Sequence, residues 1–307
     1  MPTTYTHYKF GTEVLKALPP SLQVRVKRYR ELYDIGQHGP DILFYYKALF
    51  KNPVAAQGSA LHRQNADVFF SRAVEILRAE GKRGADTAGA AESGEVSGSN
   101  LSDAGKRSET DTDAARAYLY GFICHFVLDS ECHPYVQKMM QAGGISHNEI
   151  EMELDRYLLV EDGFDPVRHV QTAHVHPSEE NAAVIAPFFQ DLSVKQVYKA
   201  LRSMIFYHNL FRVPGKVERA LLFGAMKLVG IYNSLHGIVM SRTPNPACRD
   251  YCLILKRQYD EAVPVAVSLI EEFERVLKEG GTFSERFHRD FEAGDSWESL
   301  SLGQQAI

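Results

Sequence analysis

Along most of the chain, apolar side chains recur at i, i+3, i+4 and i+7, the spacing of one helical face, between short polar breaks. His7, Phe10, Gly11, Val14, Leu15 and Leu18 follow this rule and predict a first helix over 5–18, closed by Pro19 and Pro20. A second helix is expected over about 21–33, stopping at Asp34-Ile35-Gly36-Gln37-His38-Gly39-Pro40-Asp41, a stretch punctuated by Gly and Pro. Asp41 then enters an apolar segment, Ile42 to Tyr46, where capping is its simplest structural role. A long helix is expected over about 57–78, with His62, Ala66, Phe69 and Phe70 on its inner side. Three more amphipathic patterns cover about 193–211, 216–236 and 250–278, the last ending at Gly280 and Gly281. No run has strand period, no segment repeats and no Gly-rich phosphate loop is present. The expected fold is all-α, a single multi-helix domain over 1–307. Residues 82–113 are the exception. They are rich in Gly, Ala, Ser, Asp and Glu, contain no aromatic residue, and offer only Val96 and Leu101 as larger aliphatics. Such a stretch buries too little apolar area to offset its ordering entropy and reads as a disordered insertion between two helices.

Composition narrows the partners. At 307 residues and 45% hydrophobic, the chain can bury a large core. The net charge of -5, with no basic stripe apparent, gives no global attraction for polynucleotide. The N-terminal residues are polar from the start. No apolar span reaches the ~18 residues of a membrane crossing, the nearest, Ala220 to Tyr232, being interrupted by Lys227. Cys124, Cys132, Cys248 and Cys252 form no CxxC pair and read as buried free thiols. A cytoplasmic location is therefore expected.

The chemistry concentrates in Phe122-Ile123-Cys124-His125-Phe126-Val127-Leu128-Asp129-Ser130-Glu131-Cys132-His133-Pro134. On a helix, His125 and Asp129 fall within about 40° of each other, on the stripe continued by Tyr118 and Phe122, so both face the core. A carboxylate there is costly unless paired, protonated or bound to a metal. Pro134 disfavours helical geometry at the residue before it, which places His133 at an expected helix end. The same arrangement recurs at His147 and Glu151, which share a face with Ile150, Leu154 and Leu158, while Glu149 and Glu153 read as solvated outer charges. One isolated His–carboxylate pair would read as a core salt bridge; two pairs together with His133 favour a metal. Over 163–178 a loop carries His169, His174 and His176, for which a solvated role is expected, and His38 is given no role. The inward or loop-placed ligand candidates are His7, Asp41, His62, His125, Asp129, His133, His147 and Glu151. Five imidazoles and three carboxylates exceed the four ligands of one tetrahedral zinc and suit two or three ions with a bridging carboxylate.

These motifs resemble the zinc-dependent phospholipase C family. The resemblance rests on Thr6-His7-x-x-x-Gly11, Gly39-Pro40-Asp41, His62, His125-x-x-x-Asp129-x-x-x-His133-Pro134 and His147-x-x-x-Glu151, in family order over the first half of the chain. It implies an all-helical domain with a cleft holding two to three Zn2+ ions. One ion would be held by Asp41, His62, His125 and Asp129, and a second by His133, His147 and Glu151. A third would share Asp129 with His7 and a freed N-terminus, here Pro2 after removal of Met1. Asp41 is the implied residue to orient or deprotonate the attacking water, whose pKa a bound zinc lowers towards ~7. The implied substrate is a phosphate ester of phospholipid type, met in transient contact with a membrane surface. The enzymatic rival is a trinuclear-zinc nuclease or nucleotidase. A rival of another class is a non-catalytic helical binding protein stabilised by metal.

Overall fold

Residues 117–130 carry apolar, aromatic or small side chains on every face of a helix, interrupted only by His125 and Asp129. A helix with no face to offer water belongs in the middle of a bundle. In the computed structural model of the protein, which describes residues 4–92, 101–292, 294 and 296–302, every residue of 117–130 is buried.

The described residues form twelve α-helices: α1 (Thr4–Ala17), α2 (Pro20–Arg28), α3 (Arg30–Gly36), α4 (Pro53–His62), α5 (Ala66–Glu92), α6 (Leu101–Gly143), α7 (His147–Glu161), α8 (Glu179–Ile185), α9 (Val194–Phe211), α10 (Lys216–Leu228), α11 (Tyr232–Leu235) and α12 (Arg249–Glu279). A short 3-10 helix, Gly39–Tyr45, lies between α3 and α4. No strand occurs among the described residues, and none of their helices is long and apolar enough to cross a membrane. Helix α6 is the axis against which α1, α3, α5, α7 and α12 pack. Its approach to α3 is closest at two glycines. A Cβ on Gly36 would lie 2.1 Å from the Tyr118 carbonyl oxygen, and one on Gly121 would lie 2.1 Å from that of Tyr33. Only hydrogen at both positions lets the two backbones touch.

Several predicted boundaries move. The helix expected over 21–33 is two, α2 and α3, broken at Tyr29. The helix expected over 57–78 is also two, because the Ala66 N–H donates to the Arg289 carbonyl oxygen at 3.0 Å. His62 is therefore the last residue of α4. The pattern over 216–236 breaks at Gly230, whose φ is +75°. The opposite error concerns Pro134, which does not end its helix: α6 runs through it to Gly143. Proline there deprives only the Ser130 carbonyl of its i+4 donor, and Arg289 Nη2 supplies the missing hydrogen bond. Of the insertion expected over 82–113, the centre, 93–100, lies outside the described residues; the helical backbones of α5 and α6 reach it from either side. The four cysteines are buried and unpaired.

Candidate metal centre

Because α6 continues past Pro134, His125, Asp129 and His133 stand on successive turns of one face. Four other elements bring side chains to that face. Helix α1 supplies His7, the 3-10 helix Asp41, the end of α4 His62, and the start of α7 His147 and Glu151. Each is locked locally. Ser146 caps α7, its hydroxyl accepting from the Glu149 N–H. Asp155, one turn beyond Glu151, accepts from the backbone N–H and hydroxyl of Thr6, both at 2.7 Å, and from the Tyr5 N–H at 3.3 Å. That carboxylate ties the orphan donors at the start of α1 to α7 and sets the position of His7. Gly39, at φ +47°, lets the chain turn against the His125 ring, which a Cβ there would meet at 2.3 Å.

Asp129 lies at the centre. Its Oδ2 is 3.0 Å from His125 Nε2 and 4.0 Å from His62 Nε2; its Oδ1 is 3.2 Å from His7 Nε2 and 3.9 Å from His133 Nε2. The two oxygens thus face two different pairs of imidazoles. Asp41 Oδ1 is 3.0 Å from His62 Nε2, and Glu151 Oε1 is 3.2 Å from His133 Nε2 and 2.9 Å from His147 Nε2. Three groups have ligand atoms all within 4.8 Å of one another: His7, His125 and Asp129; Asp41, His62 and His125; and His133, His147 and Glu151. All eight residues singled out in the sequence therefore meet in one place. The grouping differs slightly from that implied by the resemblance, since His125 groups with His7 as well as with His62. Pro2 lies outside the described residues.

The hydrogen bonds show whether these side chains suit a cation. His62 Nδ1 donates to the Gly58 carbonyl at 2.7 Å, His125 Nδ1 to the Gln37 carbonyl at 3.2 Å, and His133 Nδ1 to the Phe291 carbonyl. A carbonyl only accepts, so Nδ1 carries a proton and Nε2 is left to face a carboxylate oxygen. That contact needs a positive charge between the two atoms, either a second proton or a metal ion. His125 Nε2, His7 Nδ1 and Glu151 Oε2 are buried without a hydrogen-bond partner. Two atoms each ~2.0–2.1 Å from a tetrahedral zinc would be ~3.4 Å apart, the scale of the closer His–carboxylate distances here. The donor set fits zinc.

The electrostatics agree. Burial would raise the Asp129 pKa, but His125 and His133 outweigh it and hold the carboxyl well below its usual range. Against burial, His147 and His133 hold Glu151 down, and His62 and His125 hold Asp41 down. Burial likewise would lower His133, yet Asp129 and Glu151 push it up to about 10. At His125 burial prevails over Asp129 and the pKa falls. A field of three buried carboxylates that draws protons to imidazole will draw a divalent cation. Above the centre opens a cleft of about 370 Å³, lined among others by Asp41, Phe44, His62, Arg63, His133 and His147.

Two sequence expectations fail beside the site. His174 is buried rather than solvated, because the loop folds back and places its Nε2 2.7 Å from His38 Nε2. Burial pushes the His174 pKa down to about 3 and that of His38 well below its usual value, so the two neutral rings share one proton. Glu153 is buried as well, accepting from the Asn245 N–H at 3.1 Å, while Asn245 Nδ2 donates to Glu149 at 2.9 Å. Sequence reasoning also missed Asp155 and the carbonyls of Gly58, Gln37 and Phe291. Asp155 carries a signal, being four residues after Glu151 on the same face; the carbonyls carry none.

A family model described as zinc dependent phospholipase C matches residues 6–207, a span that contains all eight clustered residues and ends within α9. No curated protein and no solved structure matches the chain.

Proposed function

The chain belongs to the zinc-dependent phospholipase C family, and from that premise we propose that it hydrolyses the phosphodiester bond of a phospholipid headgroup. The observation that carries the reading is Asp129, whose two oxygens face separate imidazole pairs at the floor of an open cleft. Zinc bound there would supply a Lewis acid for the phosphoryl oxygens and would lower the pKa of a water towards ~7. The eight side chains would hold the metal. Asp41 lines the cleft, and its carboxyl, kept ionised by His62 and His125 against burial, orients the attacking water and accepts its proton. Arg63, exposed at the cleft wall, is the cation available to a phosphate oxygen. We place the protein in a reducing compartment, in keeping with four unpaired buried thiols.

The test is a substrate panel of phosphatidylcholine, a chromogenic phosphodiester and nucleotides, run with and without chelator. Release of a phosphorylated headgroup that stops on chelation is the expected result. Turnover of nucleotides alone would replace this reading with the nucleotidase, and a zinc-loaded protein that turns over nothing would make it a binding protein.

A further inference from the structure

The charge of the whole chain conceals a local excess that the sequence reading did not register. Residues 194–229 contain seven Lys and Arg against one acid, Glu218, in a chain whose net charge is -5. Six of those seven cations are exposed. On α9, at about 100° per residue, Lys195, Lys199, Arg202, Phe206 and Leu210 share one outward stripe, basic first and apolar at its end.

Helix α10 is stranger. Of its thirteen residues only Met226 is buried. Val217, Leu221, Ala225 and Leu228 fall within about 80° of one another on the outer side, with Val217 73%, Leu221 70% and Leu228 88% exposed. Lys216 and Lys227 lie along one side of that stripe and Glu218 along the other, and Val229 follows it, exposed as well. A helix this short is marginal without packing, and an apolar face this continuous is normally covered. The rest of the chain provides no cover for it among the described residues. The interleaved side chains are mainly aliphatic, which suits lipid better than the aromatic stacking of single-stranded nucleic acid. The segment is also linked to the metal centre. After α11 the chain returns over the first turn of α7, where Gly237 and Asn245 lie against Glu149, two residues from His147.

We propose that α10, with the basic outward stripe of α9, is a docking surface for an anionic phospholipid bilayer, lying in the membrane interface with Val217, Leu221 and Leu228 inserted. The choice of lipid over protein rests on the phospholipid reading of the metal centre; the apolar stripe and the cations stand apart from it. Docking of this kind is peripheral, held by apolar burial together with attraction of the cations to the anionic surface.

The test is co-sedimentation of the full chain with phosphatidylcholine vesicles, with and without added phosphatidylglycerol. Binding is expected with the anionic vesicles and should weaken in ~1 M salt, where the Debye length falls to ~3 Å. The double variant Leu221→Glu/Leu228→Glu should lose about tenfold or more in vesicle affinity. Val24→Glu, at an exposed apolar site on α2, should bind as wild type does. Both variants should keep the wild-type melting temperature and rate on a soluble phosphodiester. Equal binding by the double variant and wild type would overturn the inference. So would a wild-type dimer, by light scattering, that the double variant turns into monomer, since the stripe would then face a second copy. Vesicle binding with no phosphodiester turnover would leave the docking surface standing and remove the catalytic reading; turnover of a soluble ester with no vesicle binding would do the reverse.

Discussion

Asp129 offers the sharpest test of the metal centre. Its Oδ1 faces His7 and His133 and its Oδ2 faces His125 and His62, so a single substitution removes an oxygen from both sides of the cluster. Loss of a hydrogen-bond partner behind a metal ligand costs 10–100-fold in affinity, and loss of the ligand itself exceeds the upper end of that range. Asp129→Ala should therefore weaken each ion it touches by at least ~100-fold, or ~2.7 kcal/mol. Glu151→Gln provides the comparison, because Glu151 faces only His133 and His147. In Asp129→Asn the amide keeps one oxygen for one side, so its loss should fall between the two. The assay is zinc per chain by emission spectrometry after equilibration in a chelator buffer that leaves wild type loaded, with circular dichroism to confirm the helices. Zinc should fall furthest in Asp129→Ala, and hydrolysis should vanish with it. Wild-type zinc content in that variant, or an equal loss in Glu151→Gln, would refute the bridging position.

Asp41→Asn should cut turnover by about 10²–10⁴-fold, the range for a general base, and by more than it cuts zinc occupancy; parallel losses would make Asp41 a ligand and nothing more. Gly121→Ala should destabilise the fold by ~3 kcal/mol, because its Cβ would force α3 off α6; an unchanged thermal midpoint would deny the backbone contact. Asp34 gives a pH signature. Burial raises its pKa to about 6, against the opposing pull of Arg30. The folded state then holds the proton that the unfolded chain has released, so its contribution to stability falls as pH rises between about 4 and 6, by ~3 kcal/mol in total. The stability of wild type minus that of Asp34→Asn, from urea unfolding across this window, should drop with pH; a flat difference would remove the shift.

What was legible in the sequence was periodicity. The all-helical fold, the inward faces of His7, His125, Asp129 and Glu151, and the family resemblance all depend on residues three or four apart, which a helix makes neighbours whatever lies around it. Errors arose where a distant partner decided the outcome. Pro134 stays in its helix because Arg289 repairs the gap at Ser130. The pattern over 57–78 splits because Ala66 donates to Arg289 instead of along the helix. Glu153 and His174 are polar residues on segments that read as solvated, buried by 241–245 and by a returning loop. The basic stretch of α9 and α10 needed no structure at all. Acidic residues elsewhere in the chain outweigh it and leave the net charge at -5.

The segment after α12 sets how much chain the site needs. Phe291 donates its N–H to the His62 carbonyl at 3.0 Å and accepts from His133 Nδ1, while Arg289 holds the proline-weakened turn of α6 on which His133 stands. Arg286 and Arg289 both clamp Glu131 on that turn. Arg286, Arg289 and Phe291 all lie outside the stretch that matches the family. A fragment trimmed to that stretch would keep all eight clustered side chains and lose the tether that aims two of the imidazoles. The smallest working unit of this protein is therefore longer than the part that names its relatives, and homologues that differ in their tails should differ in how firmly the rings at His62 and His133 are held.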